Sequence, residues 1–147
     1  MSTPDISPNE ITPEQFAEMV KVASDEEIGS TIRSAGTQEV LDRIFSGMQQ
    51  RFVPAKAQGV DAAIQFVVTD DGTEHPYQVL VKDGSCTAGR GRADDPKTAI
   101  ITDVVSFAKL VAGQAQGPQL FMAGKLKVSG DLMFSQRVMT FFDQPKA

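Results

Sequence analysis

Tryptophan is absent from the 147 residues, and tyrosine, histidine and cysteine occur once each, as Tyr77, His75 and Cys86. One cysteine excludes an intramolecular disulfide and any multi-cysteine metal site, and it agrees with a reducing compartment, so the expected location is the cytoplasm. One histidine leaves neither a nucleophile, base and acid set nor a metal-ligand cluster in view. Basic residues are also short, 14 against 19 acidic, and the net charge of -5 argues against nonspecific nucleic-acid binding, which needs clustered cations to displace counterions. No apolar run approaches the roughly 20 residues that span a bilayer. The start, MSTPDISPNE, lacks the basic and apolar regions of a signal peptide, so the chain is expected to stay where it is made. With 41% hydrophobic and 22% charged residues the composition is that of an ordinary globular protein about one domain long.

The pattern along the chain predicts three stages. Residues 1 to 11, rich in Pro, Ser and Asn, read as a mobile leader. Thr12-Pro13-Glu14-Gln15 and Ser24-Asp25-Glu26-Glu27 have the spacing of capping boxes, and Gly36-Thr37 stops one helix and starts another. Three short helices are therefore expected in the first third, the last carrying Val40, Leu41, Ile44, Phe45 and Met48. From Val60 the period becomes two: Ala62, Ile64, Phe66 and Val68 share a face, then Asp70-Asp71-Gly72 turns into a run with Tyr77, Val79 and Val81 on one face. Short strands are expected at Ser85 to Gly89 and Ala99 to Thr102, making the middle an antiparallel sheet.

Asp103 can cap a helix whose apolar residues, Val104, Val105, Phe107, Ala108, Leu110, Val111 and Ala112, cover about 220° of arc, more than the roughly 100° that one core face needs. That helix must be covered on more than one side. A short helix from Gly117 to Met122, a strand with Leu126 and Val128, and a final helix from Asp131 to about Phe142 complete the pattern. On the final helix Leu132, Phe134, Val138, Met139, Phe141 and Phe142 spread over about 180°. Phe141 is placed on the core edge of that arc and Met139 on a ligand-facing edge.

Candidate chemical motifs have simpler readings. Asp70-Asp71 and Asp94-Asp95 sit beside Gly72 and Pro96 and read as turns. Gly89-Arg90-Gly91-Arg92 lacks the third glycine and helix opening of a dinucleotide fingerprint, and Gly124-Lys125 is followed by Leu126 where a phosphate loop needs Ser or Thr. Cys86 reads as a packed thiol and His75 as a residue near a hairpin turn. What remains is an excess of apolar surface on the late helices, with the adaptable thioethers of Met122, Met133 and Met139. Periodicity alone explains that excess as core or as a ligand surface.

The stretch Phe121-Met122-Ala123-Gly124-Lys125-Leu126-Lys127-Val128-Ser129-Gly130-Asp131 resembles the sterol carrier protein 2 family, in which F-x-x-G-K-L-K-φ-x-G precedes an apolar C-terminal helix. The likeness runs over about residues 38 to 143. It implies an α+β fold: a twisted, mainly antiparallel five-stranded sheet with helices packed on one side, enclosing an apolar tunnel for a sterol, fatty acid, acyl-CoA or phospholipid. Residues 37 to 147 would form that lipid-binding domain, and residues 12 to 36 an N-terminal helical extension that covers or gates the tunnel. The end of the chain, Gln144-Pro145-Lys146-Ala147, departs from the Ser-Lys-Leu type of peroxisomal signal.

The leading expectation is thus a non-catalytic intracellular lipid carrier needing no cofactor, with Phe107, Leu110, Val111, Phe121, Met122, Leu126, Leu132, Val138, Met139 and Phe142 as the lipid-binding residues. A second is an accessory protein that presents a lipid or quinone precursor to a partner enzyme through transient membrane or enzyme contact. In that reading the chain is a monomer or a weak homodimer paired through exposed Met133 and Phe142. A third is a small enzyme built on Cys86 or His75.

Overall fold

Alternation of buried and exposed side chains sorts the middle of the chain into strands. In the computed structural model, which describes residues 13–142, Ala62–Asp70 (β1) and Thr73–Lys82 (β2) form the expected hairpin, with Ile64 opposite Val79 and Phe66 opposite Tyr77. Asp71 and Gly72 carry the positive φ that the tight turn between them demands. A second turn at Asp83-Gly84 leads to Ser85–Arg90 (β3), which pairs antiparallel with β2.

The chain then returns across the sheet. Thr98–Asp103 (β4) pairs with β1, and the pairing is parallel, where the sequence pattern led us to expect antiparallel strands throughout the middle. Periodicity reports which face a residue occupies and not the direction of its neighbour, so this pairing is invisible to it. Leu126–Gly130 (β5) pairs antiparallel with β4, giving a mixed five-stranded sheet in the order β3-β2-β1-β4-β5. The return segment is pinned by Gln65. Its buried amide donates to the carbonyls of Tyr77 at 2.9 Å and Gly91 at 3.2 Å and accepts from the Ala93 N–H. Such full satisfaction is what allows an amide to be buried at all.

Three N-terminal helices appear where capping predicted them. They are Pro13–Val22 (α1), Asp25–Ala35 (α2) and Thr37–Gln50 (α3), α2 being closed by a reciprocal box between Ser24 and Glu27. The Thr12 cap and the leader fall outside the described residues. Val104–Val111 (α4) starts on Asp103, whose carboxylate accepts from Ser106 N–H at 2.9 Å. One side of α4 rests on β1 and β4, and α1 and α2 pack on it as well, as its wide apolar arc requires. Gly29 makes this close: a Cβ there would stand 3.3 Å from Val105 Cγ2. Asp25 and Lys109 form an ion pair across the same contact.

A stack of rings fills the centre of the core between α3, the sheet and α4. Phe45 lies flat on Tyr77 at 4.3 Å and on Phe107 at 5.1 Å, and meets Phe66 edge-on. The Tyr77 hydroxyl donates to Asp42 at 2.6 Å, and Arg90 holds the same carboxylate. Ala17, Val20, Ile28 and Ile32 belong to this same buried cluster. The sheet side chains facing the helices are Tyr77, Val79, Ile64, Phe66, Ile100 and Leu126 among others, whereas Leu80, on the opposite face, is 42% exposed.

Gly117–Met122 (α5) and Leu132–Val138 (α6) flank β5. The last helix is shorter than its apolar arc predicted: it tightens into a 3-10 turn at Met139–Phe141, and Phe142 bridges to Phe52. Val53 N–H donates to Phe141 O at 2.7 Å, so the chain end is tied back to the segment after α3.

Candidate functional site

The motif that opens at Phe121 is a set of backbone requirements with an alternating outcome. Gly124, at φ +76, ends α5, and Lys125 N–H returns to Leu120 O at 2.9 Å, as at a glycine-closed helix end. The strand that follows turns Leu126 and Val128 toward the helices, beside Thr102 and Ile100, and Lys127 to the other face. Gly130, at φ +88, ends the strand where a Cβ would stand 2.6 Å from Lys97 O. Asp131 then caps α6, accepting from Phe134 N–H at 2.9 Å.

This arrangement lines a solvent-open cavity of about 640 Å³, within the roughly 300–1,000 Å³ of small-molecule sites. Its floor is the edge of the sheet, Ile100, Leu126 and Val128. Its walls are Leu110 of α4 and Ala115 beyond it, Pro118, Phe121 and Met122 of α5, Leu132 of α6, and Phe142; Lys56, from the 3-10 turn Pro54–Ala57, also lines it. Lys56, Gln116 and Gln136 add polar groups to the lining, and several hydroxyls in and beside it are engaged. Ser135 Oγ donates to Leu132 O at 2.6 Å, Thr140 Oγ1 to Arg137 O at 2.5 Å, and on β4 Thr102 Oγ1 donates to Lys125 O at 2.8 Å. No buried side-chain polar atom among the described residues lacks a partner. A lining dominated by apolar side chains offers a guest chiefly dispersion and desolvation.

Six of the ten residues expected to contact lipid line this cavity: Leu110, Phe121, Met122, Leu126, Leu132 and Phe142. Phe107, Val111 and Val138 do not line it; they are buried in the core, Phe107 within the ring stack. Met139 lies in the 3-10 turn, and its side chain falls outside what the structure describes. Phe141 is fully buried, on the core side as expected. Phe142 is 6% exposed and packed on Phe52, which corrects the expectation that it is a free dimer contact, while Met133 is 79% exposed. Ten further lining residues were not in the expected set, among them Lys56, Ile100, Ala115 and Val128, the last lying inside the motif. α1 and α2 pack on α4, and none of their described residues lines this cavity.

Other chemistry finds little footing. Cys86 is buried on β3, and burial pushes its thiol up to about 11, so at neutral pH it is protonated and a poor nucleophile. His75 lies within β2, opposite Val68. Among the described residues no three His, Cys, Asp or Glu side chains are grouped as metal ligands. Asp71 and Asp95 both have positive φ, as turn residues do, and Asp70 accepts from Arg33 and Thr37, linking β1 to the N-terminal helices. No described helix is long and apolar enough to cross a membrane.

Residues 41–143 match the SCP-2 sterol transfer family. Among solved structures the chain is similar to sterol carrier protein 2 from Yarrowia lipolytica in its apo form, with a TM-score of 0.58 and 22% identity over 71% of this chain and 88% of that one. It is also similar to palmitated SCP2L2 from Aedes aegypti, with a TM-score of 0.57 and 14% identity over 71% and 95%. A third likeness is to the inverting sec-alkylsulfatase Pisa1 from Pseudomonas sp., with a TM-score of 0.64 and 17% identity. There the alignment covers 71% of this chain but spans only 16% of the sulfatase. At these identities the structures speak for the fold, and the family is carried by the sequence match. The α+β architecture and the motif that builds the cavity agree with it: the chain belongs to the SCP-2 sterol transfer family.

Proposed function

We propose that this protein is a non-catalytic intracellular carrier that holds an apolar lipid, such as a fatty acid, acyl-CoA, sterol or phospholipid, in the cavity between β4, β5, α5 and α6. The observation that carries the reading is the cavity itself, whose walls are mainly apolar side chains. Burying an acyl chain contributes about 0.8 kcal/mol per methylene, and a preformed cavity avoids remodelling a packed core. The palmitated state of the Aedes aegypti relative and the family's sterol-transfer description support the same class of ligand. In this reading Leu110, Phe121, Met122, Leu126, Leu132 and Phe142 are the lipid contacts, the cytoplasm is the working compartment, and no cofactor is required.

Protein purified from cells should carry lipid in native mass spectra and, once stripped, take up a fluorescent fatty acid. Leu132→Asp tests the site, because Leu132 is 46% exposed and its loss should change stability by no more than about 0.5 kcal/mol. The new carboxylate would have to be stripped of water by an apolar guest, so affinity should fall at least about tenfold. A bare chain with no uptake, or full affinity in Leu132→Asp, would overturn the proposal.

A further inference from the structure

A cavity with mainly apolar walls orients its guest through the few polar groups that it carries. Of the described residues that line this one, Lys56 is the only charged one. It stands on the turn Pro54–Ala57, whose position is fixed: Ala57 is buried, Val53 N–H donates to Phe141 O at 2.7 Å, and the turn packs on the 3-10 turn Met139–Phe141. Lys56 is thereby delivered beside the end of α6, where Gln136 and Thr140 also line the cavity.

The hydrogen bonds already made narrow what this end can hold. Ser135 and Thr140 spend their hydroxyl protons on the carbonyls of Leu132 and Arg137, and the Gln116 side chain accepts from the backbone in capping α5. The ion pairs among the described residues use Arg33, Arg90, Arg92, Lys97 and Lys109, so the Lys56 ammonium has no described partner, and neither has the Gln136 amide. The donors left on the lining are therefore an ammonium and an amide, both on exposed residues and both suited to an anionic oxygen. Where α5 packs on β5, the lining of Phe121, Met122, Leu126 and Val128 has no polar side chain.

We infer that Lys56 is the headgroup contact and specificity determinant of the cavity. It selects a single-chain amphiphile with a small anionic head, a long-chain carboxylate, over a neutral lipid of the same length, and it sets the head at the Lys56 turn and the tail along α5 and β5. The inference rests on the lipid reading of the cavity. An exposed ammonium draws a carboxylate that keeps part of its hydration, so neither charge is fully desolvated. A neutral hydroxyl meets the same donors without the charge assistance.

The experiment measures competition against a bound fluorescent fatty acid, at about pH 8, where a carboxylate is ionised. The competitors are palmitate, hexadecanol, which has the same chain length and a neutral head, and palmitoyl-CoA; the proteins are the full chain, Lys56→Gln and Lys56→Arg. The full chain should prefer palmitate to hexadecanol about fivefold at low salt, and the gap should narrow as salt rises. Lys56→Gln should close the gap and Lys56→Arg should keep it, with denaturant midpoints unmoved because the side chain is exposed. Equal affinity for palmitate and hexadecanol in the full chain overturns the head contact and leaves the carrier reading standing. A gap that survives in Lys56→Gln overturns it as well. A Lys56-dependent preference for palmitoyl-CoA over palmitate overturns the carboxylate in favour of a phosphate head. Binding of neither the probe nor any competitor overturns the inference together with the carrier reading.

Discussion

Gly124 and Gly130 look alike in the motif and differ in what surrounds them. Both have positive φ, but nothing lies within 4 Å of a Cβ built on Gly124, whereas on Gly130 it meets the Lys97 carbonyl oxygen at 2.6 Å and the Thr98 Cα at 3.2 Å. Gly124→Ala should therefore cost only the left-handed backbone penalty of about 1–2 kcal/mol. Gly130→Ala adds a clash between two backbones that the β4–β5 ladder holds in place, and should cost clearly more, about 3 kcal/mol or above. Denaturant midpoints of the two variants check the order, and equal losses would show that β5 can shift away from residue 97. The same contrast explains why a motif read as letters says little about mechanism: the sequence shows two glycines, and only the fold shows which one touches another strand.

Among the elements, α1 and α2 close the outer side of α4, with Ile28 and Ile32 buried at 0% and 1%. Ile28→Ala and Ile32→Ala should each cost about 2–5 kcal/mol in one cooperative transition, as core truncations do. A separate early transition, or an unchanged midpoint, would show α1 and α2 to be an independent appendage. Fatty acid affinity of the folded variants should hold, since neither helix lines the cavity. The wide arc of α4 announced a second covering layer but not its identity, because an apolar face records burial and not the neighbour that buries it. For that reason Phe107 and Leu110, on one arc, went to different places: aromatic rings close around Phe107, while Leu110 faces the cavity. Capping residues were more legible. Ser24, Asp103 and the turns at Asp71 and Asp83 act within a few residues of themselves, so local chemistry suffices to find them. The parallel β1–β4 pairing and the contribution of Lys56 join segments far apart in sequence, and no local pattern encodes either.

At the scale of the whole molecule, the stability of this fold should be uneven. Strands β1 and β2 share nine paired positions and lie inside the sheet, whereas β5 pairs with β4 alone, over five positions, at the edge. Native-state hydrogen exchange should find the amides of Lys127 to Ser129 and of α6 opening at lower free energy than those of Phe66 to Val68. Uniform protection across both regions would contradict this. The cavity is built from the weaker edge: β5 is part of its floor, and α5 and α6 supply most of its walls. A guest that binds only the closed arrangement must stabilise that edge by mass action, so added fatty acid should slow exchange in β5 and α6 more than in β1. Linkage makes the relation reciprocal. Any change that loosens the β5 edge, even one remote from the cavity, lowers lipid affinity by the same free energy with which the lipid resists the loosening. On the proposed carrier function, the lipid acts as a removable fastener for the end of the sheet, and letting go of cargo and fraying of the edge become two descriptions of one equilibrium.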